Sequence, residues 1–207
     1  MSWSWNVIGV ALWVILIVYL VFIIQDIRRR RLKMIIKQHK TFDGKNFVAN
    51  LIEVAVFLLA LGWLGNRSLF YNPDLTDKSA VTSHINYEPL VLQSSGKNGY
   101  YVTVKSTKTR TPTQTYTYYV DGKKWVVPGA ISTISYGKNP INITAEKIPY
   151  VENILNKKDD QYQNAYVATY VAKYKNTLRN GLGMHAGKVA TRFYLIRVPD
   201  TTFIEEK

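Results

Sequence analysis

The sequence predicts a membrane-spanning helical hairpin followed by a small α+β domain. Three observations carry this expectation. Residues 7–24 and 47–65 are each long and apolar enough to cross a bilayer, and the segment between them holds eight Lys/Arg. Beyond residue 82 the apolar pattern first alternates with a period of two and later takes helical spacing.

The first apolar element is VIGVALWVILIVYLVFII, Val7 to Ile24, with no charged or strongly polar side chain. As a helix it covers about 27 Å, close to the thickness of a hydrocarbon core. Trp3 and Trp5 precede it, where amphipathic rings favour the headgroup zone. Residues 1–6 carry no charge and the arginines come after the apolar run, the reverse of a cleaved signal peptide, so the segment is expected to remain as an anchor.

Residues 25–46 form the basic connection: Arg28, Arg29, Arg30, Arg31, Lys33 and Lys37 stand out, against Asp26 and Asp43. Interspersed Leu32, Met34, Ile35 and Ile36 suit a short interfacial helix. Each basic side chain near anionic headgroups is worth about 1 kcal/mol. Positive residues stay cytoplasmic, so this loop is expected inside, with residues 1–6 and everything after residue 65 outside.

The second apolar element, FVANLIEVAVFLLALGWL from Phe47 to Leu64, contains Asn50 and Glu53. A central acidic residue costs roughly 2.5–3.5 kcal/mol on insertion. Glu53 is not central; it sits about two turns in from the loop. Asn50 and Glu53 are three apart and share a helix face. Their expected role is to hydrogen-bond the first helix. An ionisable group inside a span also invites a functional reading.

Residues 66–82 (NRSLFYNPDLTDKSAVT) are polar and turn-rich, a linker. The domain is then expected over 83–207. Alternation at Tyr100–Lys105 predicts a strand. QTYTYYV-DG-KKWVV predicts a hairpin, because Asp121-Gly122 tolerates the positive φ of a type I′ turn. With the Ser106–Pro112 turn these make a three-stranded antiparallel meander. Ile131–Ser135 and Ile141–Thr144 suit short strands, and Pro149–Asn156 an earlier turn or helix. From Asp159 or Asp160 to Asn180, Val167, Tyr170, Val171, Tyr174 and Leu178 follow helical spacing, and Gly181 supplies a stop, so one long helix is expected. Tyr162, Tyr166, Tyr170 and Tyr174 form a stripe on it, either packed on the sheet or serving as a recognition surface. Thr191–Val198 reads as a returning strand.

The whole chain has 207 residues and a net charge of +13, with a pI near 9.8. That balance suits anionic partners. It is not concentrated in a basic domain: residues 66–207 hold nineteen Lys/Arg against eleven Asp/Glu. There is no cysteine, which excludes disulfides, thiolate metal sites and cysteine nucleophiles. GLGMHAGKV (Gly181 to Val189) fails the phosphate-loop spacing and lacks its Ser/Thr. His39 belongs to the basic loop, and His84 and His185 have no nearby His or carboxylate at ligand spacing, so neither metal nor cofactor is expected, and no nucleophile motif appears.

An uncharged N-terminal tail, a span, an Arg/Lys loop, a second span and a cysteine-free Tyr/Thr/Lys domain together resemble uncharacterised two-pass membrane proteins of Gram-positive, lactobacilli-type bacteria. The likeness is one of layout and composition, and it implies no activity and no site residue. The expected function is presentation of an extracytoplasmic binding domain in the cell envelope. Its partners are anionic headgroups and another envelope protein or an anionic wall polymer. Two alternatives stand beside it. One is an extracytoplasmic enzyme acting on wall material through His84 or His185. The other is a cytosolic basic domain on nucleic acid, if residues 47–65 do not span.

Overall fold

The computed structural model describes residues 4–38, 43–71, 74–96, 98–107 and 113–207. Trp3, His39 and most of the Ser106–Pro112 turn lie outside them. The chain divides into two units. One comprises Met1–Asp74 with Tyr174–Lys188, the other Leu75–Lys173 with Val189–Lys207.

The first unit is built on α1 (Asn6–Gln38) and α2 (Gly44–Gly65). Both are long and apolar enough to cross a membrane. Helix α1 runs on through Arg28–Arg31, so the basic segment is not a loop after residue 24. Its Leu, Met, Ile, Arg and Lys residues are good helix formers, and nothing in the run breaks the backbone ladder. Asp43 caps α2 by accepting from the Lys45 amide at 3.4 Å. Past Gly65 the backbone widens into a π-helical turn, Asn66–Phe70, where Ser68 Oγ accepts from Trp13 Nε1 at 3.3 Å.

The Tyr174–Lys188 segment belongs to this unit because the first turn of α1 grips it. Asn6 donates to the Ala186 carbonyl and accepts from the Ala186 amide, both at 2.9 Å. Asn176 Oδ1 accepts from the Trp5 amide at 3.2 Å. A Cβ on Gly9 would lie 2.5 Å from the Gly181 carbonyl oxygen, so the close approach requires glycine there. Within the segment, Thr177 caps the single turn α4 (Leu178–Leu182).

The second unit is sheet-rich. Strands β1 (Val81–Pro89), β8 (Tyr166–Tyr174), β9 (Val189–Val198) and β7 (Ser132–Tyr136) form one sheet in the order β1-β8-β9-β7. Strands β4 (Val102–Thr107), β5 (Thr113–Val120) and β6 (Lys123–Pro128) form the expected antiparallel meander, and β10 (Ile204–Glu206) joins β4 in parallel. Asp121 and Gly122 take φ of 49° and 72°, as the type I′ turn needs. A small hairpin pairs β2 (Gln93–Ser95) with β3 (Asn98–Tyr100).

The first sheet is covered on both faces. Val167, Tyr194, Ile196 and Val198 pack against Val102, Tyr116, Tyr118 and Val127 of the meander sheet. The opposite face, with Tyr166, Ala168, Tyr170, Phe193 and Leu195, packs on Leu155 of α3 (Glu152–Tyr162) and on Ile148 and Tyr150. The layers are therefore sheet, sheet and helix.

Three expectations need correction. The long helix does not form: α3 ends at Tyr162, and Tyr166–Tyr174 is a central strand. Gln163 and Asn164 take left-handed φ of 51° and 58° and stop the helix. Tyr, Val and Thr then favour a pleated, buried strand. A spacing of four is also even, so Tyr166, Tyr170 and Tyr174 share a face in a strand as they nearly do in a helix. Ile141–Thr144 is a turn rather than a strand, since Asn142 accepts from the Ala145 amide and donates to Thr133 and the Ile134 carbonyl. The stretch given to a linker, 66–82, holds the π-helical turn and the beginning of β1.

Candidate functional site

The polar pair expected in the second span does meet the first helix. Arg30 donates to Asn50 Oδ1 at 3.1 Å and to Glu53 Oε1 at 2.5 Å, and its guanidinium also lies 2.6 Å from Asp26. Asp26 and Arg30 are one helical turn apart, so the arginine is held by its own helix while it bridges to α2. Beside it, Ile27, Arg30, Arg31 and Met34 of α1 face Asp43, Asn46, Phe47 and Asn50 of α2 across a cavity of about 230 Å³. Both sets repeat as i, i+3, i+4, i+7, the pattern of a packed seam. Arginine and asparagine at those positions leave the seam open. Arg28, Arg29, Arg31 and Lys33 are exposed on α1. Lys37 lies in the helix, but its side chain is outside the described structure.

The tyrosine stripe is dispersed. Tyr166 and Tyr170 are buried in the core, with only 0 % and 1 % exposed, so neither is available as a recognition surface. Tyr166 donates to the Leu155 carbonyl at 3.2 Å. Tyr162 ends α3, half-buried, with Lys158 Nζ 5.5 Å from its ring centre. Tyr174 belongs to the first unit, stacked on His185 at 5.0 Å and close to Tyr71. Burial, then the neighbouring Tyr71, pushes its hydroxyl above the ordinary phenol range. His185 is thus a packed ring, with Arg67 and Arg179 flanking the adjacent Tyr71 at 5.6 Å each.

A different set of residues makes the most site-like concavity of the sheet unit. On β1 the sequence His84-Ile85-Asn86-Tyr87-Glu88 alternates. Ile85 and Tyr87 go to the α3 side of the core, while His84, Asn86 and Glu88 face a cleft of about 250 Å³. Thr169 and Val171 of β8 face the same cleft, opposite Tyr194 and Arg192 of β9 in the strand register. The meander sheet supplies Tyr118 and Trp125, which are also directly paired across β5 and β6. The cleft is therefore lined by both sheets. Its floor is closed by buried Tyr118, Val171 and Tyr194, and its rim carries exposed His84, Asn86, Arg192 and Trp125. Burial pushes the Tyr118 hydroxyl well above the ordinary range, reinforced by the nearby Tyr194 and Glu88. Among the described residues, no three His, Asp or Glu gather closely enough to hold a metal ion.

The sequence held a signal for this site at the start of the expected domain, where no element was assigned. The polar–apolar alternation from His84 to Glu88 is strand periodicity with polar residues on one side. Arg192 and Trp125 carried no such signal, because only the sheet pairing brings them to it.

The chain is thus an apolar helical hairpin combined with a two-sheet unit that opens into a polar cleft. Residues 4–205 match the model of a family whose description reads only ":-like", and the chain belongs to that family. No curated protein and no solved structure matches it.

Proposed function

We propose that this is a two-pass membrane protein of the bacterial envelope that presents its cleft-bearing sheet domain on the extracytoplasmic face and binds an envelope component there. One observation carries the reading: the hairpin turns its apolar surface outward. Only 17 % of the most apolar stretch of α1 and 6 % of that of α2 is buried. Val14, Ile17, Val18, Leu58, Leu59 and Trp63 are among the side chains left exposed. A soluble chain does not tolerate an apolar patch of this extent, whereas a bilayer covers it and leaves every helical backbone bond made.

Charge supports the orientation. Arg28–Arg31, Lys33 and Lys37 lie at the connected ends of α1 and α2, and only Arg67 and Lys78 follow α2 closely. The connection then faces the cytoplasm, where its exposed arginines meet anionic headgroups.

The native chain has no cysteine, so Ser95→Cys and Ser106→Cys each give a unique thiol. Labelling of both in whole cells by a membrane-impermeant reagent is the expected result. Labelling only after lysis would place the domain in the cytosol and restore the nucleic-acid alternative. Catalysis is the second reading, favoured by His84 and Glu88 sharing one cleft. If His84→Ala and Glu88→Gln leave wall composition and cell shape unchanged, that reading fails.

A further inference from the structure

We infer that the ligand of the sheet cleft is a neutral, polyhydroxylated chain, a glycan segment stacked on Trp125. The inference deepens the binding role proposed above but rests on the cleft's own chemistry. Arg192 offers only donors and Glu88 only acceptors, while Asn86 and His84 offer both. These side chains face one cleft of about 250 Å³, and no hydrogen bond or ion pair joins them to one another or to other described residues. A ligand that engages all of them needs donors and acceptors at close intervals. A hydroxyl is both, and a sugar ring carries several.

The charges decide against an anionic polymer. The cleft holds one carboxylate, Glu88, and one guanidinium, Arg192, so it has no cationic surplus for a phosphate chain. The aromatic surface decides against a peptide anchored by an apolar side chain. The floor is already filled by buried Tyr118, Val171 and Tyr194, which leaves no deep apolar pocket. What remains is the Trp125 ring, 42 % exposed at the rim. A flat indole face takes the C–H face of a pyranose while rim groups bond its hydroxyls. A single carboxylate also lacks the second one that glycoside hydrolysis ordinarily uses, so the cleft holds the chain rather than cutting it.

The test uses the full chain in lipid nanodiscs, because sugar-headed detergents would compete. The probes are the β-1,4-linked tetramers of N-acetylglucosamine and of glucose, with polyphosphate and an uncharged peptide as comparisons. Binding is read calorimetrically. The expected result is saturable binding of at least one tetramer, weakened about tenfold or more by Trp125→Ala and by Glu88→Gln, and unchanged by Trp63→Phe on the hairpin. Unaltered melting of the variants separates lost contact from lost fold; if Trp125→Ala melts early, Glu88→Gln decides. Failure of both tetramers to bind, binding indifferent to the deciding variant, or Trp125-dependent binding of polyphosphate or peptide instead overturns the inference. Because the nanodisc exposes both faces, a wrong orientation leaves this result intact, whereas a chain that does not enter the nanodisc at all reports against the membrane reading.

Discussion

Arg197 shows how much a single residue decides that no pattern announces. It lies in the apolar run YLIRV, where strand alternation sends it inward, and it is fully buried. Its guanidinium makes five bonds: to Asp159 through Nε at 3.0 Å and a terminal nitrogen at 2.7 Å, to Ser135 Oγ at 3.1 Å, and to the carbonyls of Gly137 at 3.0 Å and Asn139 at 3.3 Å. All its donors are used, which makes a buried cation tolerable. One side chain thereby ties β9 to α3 and to the loop after β7. Removing the counter-charge leaves the arginine buried and uncompensated. Asp159→Ala is expected to cost about 3–5 kcal/mol of domain stability, and Asp159→Asn, which keeps an acceptor, less. Denaturant midpoints of the two variants check both the size and the order. The arginine was invisible as a site because its partners come from positions 38 to 62 residues away.

At the scale of elements, the hairpin, the meander and the returning strand were legible because each rests on local information: an unbroken apolar run, an Asp-Gly turn, an alternating pattern. The helix–strand boundary at residue 163 was not. Tyrosines four apart satisfy both periods, so the stripe could not discriminate between them. The deciding feature is Gln163, a non-glycine residue held at φ 51° as the C-cap, its amide donating back to Asp159. Left-handed backbone costs a residue with a Cβ about 1–2 kcal/mol, part of which glycine returns through its greater freedom when unfolded. Gln163→Gly should therefore stabilise the domain by roughly 0.5–1 kcal/mol, visible as a higher melting temperature. A destabilised variant would mean that the Gln163 side chain holds the junction and that its backbone is not strained. The Asn50–Glu53 pair belongs to this scale too. Its place on α2 was readable, and so was its partner helix, but not its partner. Arg30 is one arginine in a run of four, and only the facing of the two helices selects it.

For the molecule as a whole, the two units obey different physics, and alkaline pH should separate them. In the sheet unit, burial pushes the hydroxyls of Tyr118, Tyr150 and Tyr166 far above the ordinary value of 10.0, with Asp159 adding to the shift at Tyr166. Their folded values are raised, so the stability they contribute is fully present below pH 10 and is lost as pH rises through and beyond it, because the unfolded chain releases protons that the folded one keeps. Each such tyrosine lowers stability by at most about 1.4 kcal/mol per pH unit in that window. In a bilayer, α1 and α2 keep their backbone bonds because lipid offers no alternative partner. The full chain in nanodiscs, titrated upward from pH 9, should therefore lose its strand circular dichroism above pH 10 while its helical signal persists. Phenolate absorbance from the buried tyrosines should rise together with unfolding rather than ahead of it, and Tyr118→Phe should move the midpoint to higher pH. Phenolate appearing well before the strands melt would show that these hydroxyls reach water in the folded domain, and that its two cores are looser than their packing implies.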